Sequence, residues 1–187
     1  ARGYAHLKRG EFDQAIADFD NFIRVQPNES AAYTDRAAGY IAQGCLGEAL
    51  TDYVHAMHLD PGDPLIFFNR GMVYQQLGDY AKALSDYVAA TLIDANYADG
   101  LNNLAWLLAT CPDQAIRDGK RAVETARRTC QMTGWTDPFD VDTLAAEVKV
   151  GRAPEPAAEE PAVAEDRAHL TGRGGGGDVE VLGLETE

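Results

Sequence analysis

Arginine and aspartate recur in pairs along this chain of 187 residues. Arg2, Arg36 and Arg70 are equally spaced, and an aspartate follows each of them after 16 residues. Because a guanidinium group can bind both oxygens of a carboxylate, this spacing predicts one salt bridge in every copy. The alternative is that the charges are solvated independently. In the next copy both charges disappear together, with Leu104 in place of the arginine and Lys120 in place of the aspartate, as a paired interaction requires.

Other combinations with chemical potential lack a necessary partner. His55 and His58 are three residues apart, but no third metal ligand accompanies them, so we predict ordinary surface histidines and no metal site. The stretch "GRGGGG" at 172–177 lacks the Lys-Ser/Thr and the strand-to-helix context of a phosphate-binding loop. The sequence shows no Ser/His/Asp or Cys/His set. We therefore expect neither catalysis nor a cofactor.

Charge and cysteine content exclude further classes of function. The net charge is −14, which disfavours a nucleic acid or an anionic membrane surface as a partner. No apolar stretch reaches the length of about 18 residues that a membrane span needs. Cys45, Cys111 and Cys130 are widely spaced without a CxxC motif, which favours a reducing compartment, and we predict a cytoplasmic protein.

The interval between successive arginines also separates the other residues that recur along the chain, so the whole sequence is a repeat. A repeat of this length indicates a solenoid. Apolar residues recur at helical spacing within each copy, so every copy is predicted to be a pair of helices. Gly44 and Gly78 stand where the first helix of a pair must end, and "LDPGDP" at 59–64 separates one pair from the next. One pair cannot bury its own apolar faces, whereas stacked pairs complete one another's core.

The series of a small residue, an aromatic residue, Gly, Ala, an aromatic residue and Pro resembles the tetratricopeptide repeat over about residues 1–110. The resemblance implies an all-α, right-handed superhelix of antiparallel helical hairpins with a concave, ligand-binding inner face. We predict a repeat domain at 1–148. Its units are a partial repeat at 1–29, repeats at 30–63, 64–97 and 98–135, and the start of an incomplete repeat at 136–148.

The family's orientation places the first helix of each unit along the groove. Asn69 and Asn103 are one period apart there, and amide groups can hold an extended peptide by its main chain. Asp35 interrupts this ladder and favours basic partners. The alternative is that these polar side chains only face water. The predicted groove residues are Asp35, Phe68, Asn69, Met72, Gln75, Asn102, Asn103 and Trp106, of which Phe68, Met72 and Trp106 are the apolar anchors.

The repeat pattern changes after residue 110. Pro112 replaces the expected glycine, and the second helix of this unit is predicted at about 114–132, with Ala122, Val123 and Ala126 facing inward. Residues 149–187 are rich in Pro, Gly and acid, which predicts a disordered acidic tail. A natural linker and a frameshift remain alternative explanations for that tail.

Together these features predict a non-catalytic protein-interaction module that binds an extended peptide segment. Chaperone tails that need a clamp of Lys and Arg are disfavoured, because only Lys8 lies near the groove. The alternatives are weak self-association or scaffolding through uncapped terminal helices, and a regulatory part of a larger multidomain signalling enzyme.

Overall fold

The computed structural model describes residues 2–134, which form eight α-helices and no strand. The helices are α1 (Arg2–Lys8), α2 (Phe12–Val25), α3 (Ser30–Ala42), α4 (Leu46–Leu59), α5 (Pro64–Gln76), α6 (Tyr80–Ile93), α7 (Ala98–Thr110) and α8 (Gly119–Thr133). Each helix packs against the next one in the chain, so consecutive helices form four hairpins, α1–α2, α3–α4, α5–α6 and α7–α8. None of these helices combines the length and apolar character of a membrane span.

Glycine ends the first helix of a hairpin, as the sequence predicts. Gly44 and Gly78 have φ angles of 79° and 78°, a left-handed conformation that a residue with a Cβ adopts only with strain. Between hairpins, Asp63 caps α5 by accepting a hydrogen bond from the backbone N–H of Leu65, and Pro64 occupies the first helical position. These local signals therefore set the helix boundaries at the period of the sequence.

Small residues allow the two helices of a hairpin to approach closely. A Cβ added at Gly71 on α5 would lie 2.8 Å from Cε1 of Tyr87 on α6, which is closer than real Cβ atoms come to another atom. Tyr87 is fully buried, and Tyr53 occupies the equivalent position in the preceding hairpin with 2% exposure. Aromatic rings thus fill the space that the small residues leave, as predicted.

The fourth hairpin departs from the predicted helix boundary. Helix α8 begins at Gly119, not near residue 114, because the Asp113 side chain accepts a hydrogen bond from the Ala115 N–H in a turn. Asp118 then caps α8 by accepting from the Arg121 N–H. The inward stripe is confirmed for Ala122 and Ala126, which are buried.

The longer turn also shifts the alignment of the fourth hairpin. Asp79 and Asp118 cap α6 and α8 in the same way, but they are further apart in the sequence than one repeat interval. The counterpart of Asp86 is therefore Thr125 and not Lys120, which corrects the predicted alignment. The incomplete repeat at 136–148 and the acidic tail at 149–187 lie outside the described residues.

Candidate functional site

The predicted Arg–Asp pairs are present in each of the first three hairpins. Arg36 donates from Nε to Oδ2 of Asp52 at 2.9 Å and from Nη2 to Oδ1 at 2.5 Å. Arg70 binds Asp86 in the same manner at 2.8 and 2.7 Å. The Asp52 side chain is only 3% exposed, so this carboxylate depends on its arginine for compensation.

Further contacts hold these arginines in place. The guanidinium of Arg70 lies 5.7 Å from the ring centre of Phe67 and 5.8 Å from that of Tyr74, within cation–π range. Hydrogen bonds with Asp86 raise the pKa of Arg70. Arg36 has the same two kinds of contact and also donates from Nη1 to Asp20 on α2 at 2.6 Å. Both arginines are therefore committed to the scaffold and are not available to a ligand.

We call the side-chain surface of α3, α5 and α7 the inner face. A depression of about 300 Å³ opens on it between α5 and α7. Its walls are uncharged, and Met72, at 41% exposure, supplies an adaptable apolar surface. The Tyr87 hydroxyl donates to Oε1 of Gln75 at 2.8 Å and fixes that amide. The depression is lined by Met72, Gln75, Gln76, Tyr87 and Asn103.

The two asparagines of the predicted ladder are both half-buried on consecutive first helices of hairpins. Nδ2 of Asn103 donates to the carbonyl oxygen of Asp99, one turn earlier on α7, at 3.0 Å. Since an amide nitrogen carries two hydrogens, this bond leaves a second N–H and the Oδ1 atom for a ligand. The structure thus brings Met72, Gln75 and Asn103 together, and Asn69 occupies the position equivalent to Asn103 on α5.

The structure corrects the location of two predicted groove residues. Phe68 is 8% exposed and belongs to the core, where its ring contacts Tyr87 and the edge of Tyr97 at centroid distances of 5.9 and 5.4 Å. Asn102 stands at the same position one period later and is 5% exposed. This position faces the second helix of the hairpin, so it fills the interior rather than the groove. Trp106, the remaining predicted anchor, is half-buried.

Asp35 lies apart from this depression and lines a second cavity, of about 520 Å³, between α1, α2 and α3. Burial raises the pKa of the Asp35 carboxyl. The nearby Tyr4 hydroxyl interacts with it, and this contact raises the pKa of Tyr4. Phe19 and Phe22 form part of the cavity wall. The repeat pattern shows which positions are equivalent but not that a cavity forms here, so this cavity cannot be predicted from the sequence.

The potential metal ligands within residues 2–134 are dispersed. No group of three or more His, Cys, Asp or Glu side chains is arranged to hold a metal ion in this region. His55 stacks on Tyr33 with a centroid distance of 5.6 Å, which is a packing role.

Two family models match the repeats. Residues 37–78 match the model described as TPR repeat, and residues 64–97 match that described as tetratricopeptide repeat. This chain contains tetratricopeptide repeats. The matched residues extend from the middle of α3 to the loop after α6 and include Asn69, Met72 and both buried aspartates of the Arg–Asp pairs. The family prediction is thereby confirmed.

Solved tetratricopeptide structures share the fold. A tetratricopeptide repeat protein from Parabacteroides merdae has a TM-score of 0.70 at 20% identity, over 80% of this chain and 57% of its own. A thermophilic tetratricopeptide protein of Thermus thermophilus has a TM-score of 0.64 at 18% identity, over 78% of each chain. The chain thus spans little more than half the length of the first of these proteins. No curated protein matches the sequence.

A third similar structure contains a bound peptide. The first tetratricopeptide domain of Spaghetti (RPAP3), bound to the HSP90 peptide SRMEEVD, has a TM-score of 0.58 at 20% identity, over 64% of this chain and 90% of its own. At these low sequence identities, the structural similarity shows only that the proteins share a fold. The predicted fold, an all-α superhelix of tetratricopeptide hairpins, is confirmed, and it is the fold of a protein-interaction module.

Proposed function

We propose that residues 2–134 are a non-catalytic binding module that holds an extended peptide segment along the inner face. The observation that carries this proposal is the uncharged depression between Met72, Gln75, Gln76 and Asn103. Its volume of about 300 Å³ suits one side chain of a partner. Tyr87 forms its floor and is locked by the hydrogen bond to Gln75, so the depression exists before a ligand arrives.

The equivalent asparagines explain how a main chain is held. Asn69 and Asn103 lie at the same position on α5 and α7, two helices that contact each other directly. Each amide can donate to a carbonyl oxygen and accept from an N–H of an extended peptide. Main-chain bonds of this kind give affinity, and the depression adds selectivity for the side chain between them. Such a site is expected to bind with a micromolar Kd, about 8 kcal/mol.

The Spaghetti domain has the same fold and is bound to a peptide, which supports peptide binding by this chain. We do not expect this chain to bind the same acidic peptide. The arginines of α3 and α5 are bound by Asp52 and Asp86 and are not available to the carboxylates of that peptide.

Replacement of both ladder residues tests the proposal. The double variant Asn69→Ala with Asn103→Ala should lose capture of extended peptides from a displayed random library, while its circular dichroism and thermal midpoint stay close to those of the parent. A matched control is Asn28→Ala with Asn96→Ala, which removes two exposed asparagines from loops between hairpins. Undiminished capture by the ladder variant would exclude peptide binding at this face.

Self-association is the second candidate function. The cavity between α1, α2 and α3 leaves Phe22 45% and Val25 74% exposed at the first hairpin. Exposed apolar residues beside a cavity favour pairing with another copy. Sedimentation over a range of concentrations separates the two functions, because a peptide-binding monomer keeps a constant mass.

A further inference from the structure

We infer that the inner face selects a basic segment that also contains an uncharged residue, and that it rejects acidic carboxyl-terminal tails. This inference rests on the proposed function and specifies the chemistry of its partner. It is argued from the charges that the scaffold uses and from those that it leaves for a ligand.

The inner face has an excess of negative charge once the scaffold is complete. Helices α3, α5 and α7 contain four charged residues, Asp35, Arg36, Arg70 and Asp99. Both arginines form bidentate salt bridges with buried aspartates of the second helices and are less than one fifth exposed. The carboxylates of Asp35 and Asp99 therefore remain without a cation from these three helices.

A further carboxylate lies at the start of α5. Asp63 caps α5 by accepting a hydrogen bond from the Leu65 N–H, and Asp99 lies in the first turn of α7. These two carboxylates give a negative potential to the N-terminal ends of α5 and α7, and burial, followed by both carboxylates, raises the pKa of Tyr97 to about 12. Asp35 adds negative charge on α3. The exposed Lys8 lies at the end of α1 and therefore does not belong to these three helices.

The arrangement of charged and uncharged surface defines the partner. Carboxylates lie on α3 and at the start of α5 and α7, whereas the depression at Met72, Gln75 and Asn103 is uncharged. Arginine or lysine side chains on a bound segment would neutralise these carboxylates, and an apolar side chain of the same segment would enter the depression. An acidic tail would meet like charges and would find no guanidinium on this face to bind its carboxylate.

Four peptides test this inference. Three are blocked at both ends and share a central leucine, which is flanked on both sides by arginine, by glutamine or by glutamate. The fourth is SRMEEVD with a free carboxylate. Titration calorimetry at low salt should show the arginine peptide binding about tenfold tighter than the glutamine peptide, and no measurable binding of the glutamate peptide or of SRMEEVD. High salt should reduce the advantage of arginine.

Variants distinguish this inference from the proposed function. Asp35→Asn with Asp99→Asn should lower the affinity for the arginine peptide towards that for the glutamine peptide, with Asp63 retaining part of the difference, whereas Glu48→Gln, an exposed acid on α4, should have no effect. Equal binding of the arginine and glutamine peptides, with both lost in the Asn69→Ala and Asn103→Ala variant, would overturn the charge selection and keep the proposed function. Tight binding of SRMEEVD would also overturn the selection. Binding of none of the four peptides would remove both.

Discussion

The guanidinium of Arg36 on α3 binds both carboxylate oxygens of Asp52 on α4, at 2.9 and 2.5 Å, and the Asp52 side chain is almost completely buried. Removal of the buried Asp52 carboxylate leaves the half-buried Arg36 guanidinium with the exposed Asp20 as its remaining charged partner. Asp52→Ala should therefore lower the free energy of unfolding by about 3 kcal/mol, measured by urea denaturation.

The matched control for that change is Glu48→Ala, which removes an exposed carboxylate from the same helix and should alter stability by less than about 0.5 kcal/mol. Replacement of both partners, Arg36→Met with Asp52→Leu, should cost less than Asp52→Ala alone, since no buried charge remains. Equal losses for Asp52→Ala and Glu48→Ala would show that the pair does not stabilise the hairpin.

Gly71→Ala tests the close approach of α5 and α6. The new Cβ would lie 2.8 Å from Tyr87 and 3.2 Å from Cβ of Asp86, so the two helices must separate. The expected loss is about 1–3 kcal/mol, even though alanine favours a helix. Gly47→Ala on α4 is the control, because no atom lies within 4 Å of its new Cβ, and we expect a small gain in thermal midpoint.

Ionised Asp35 should destabilise the fold, although we propose that its charge contributes to ligand binding. Burial raises its pKa, so folding opposes ionisation of this carboxyl, and its contribution to stability is present at acid pH and lost as the pH rises through the raised value. Asp35→Asn should thus increase the thermal midpoint at neutral pH and lose this advantage below about pH 4. A lower midpoint at neutral pH would contradict this expectation.

Asp18 should behave in the opposite way. Its hydrogen bond with Arg2 lowers the pKa of Asp18, so the stabilisation is present above the ordinary pKa of an aspartate and lost as the pH falls through the lowered value. Asp18→Asn should reduce stability at neutral pH, and the difference from the parent should shrink on acidification. A difference that does not depend on pH would argue against a charged pair.

Met72 should contribute to peptide affinity without contributing to the fold. It is 41% exposed in the depression on the inner face, so truncation removes ligand contacts and few internal ones. Met72→Ala should weaken the glutamine-flanked leucine peptide by about 1–2 kcal/mol in calorimetry. Leu77→Ala is the control, since Leu77 is 52% exposed just beyond the end of α5.

Much of the scaffold follows from the sequence because the repeat interval carries independent signals. Glycines fix the helix ends, and arginines recur with aspartates, so a contact in one copy implies it in the next. The start of α8 is not predictable in this way, because Pro112 and the longer turn after it break the alignment. The repeat interval correctly indicates that the fourth hairpin lacks both the Arg and the Asp of the pair. It aligns Lys120 with Asp86, however, whereas the structural counterpart is Thr125.

Less of the candidate site can be predicted from the repeat interval. Equivalence under the repeat shows that Phe68 and Asn102 share a position, but not whether that position faces a ligand or the neighbouring helix. A phenylalanine there was the available signal for a core position. The contact between Arg36 and Asp20 leaves no signal at all, since Asp20 has valines, Val54 and Val88, at its equivalent positions.

This unrepeated contact makes the junctions between hairpins unequal. Arg36 joins α2 to α4 through two carboxylates, so fraying of the first hairpin must break a charged bond that belongs to the second. At the next junction Val54 replaces that carboxylate, and Arg70 holds only Asp86. Under mechanical load or mild denaturant, we therefore expect the first two hairpins to unfold as one cooperative block.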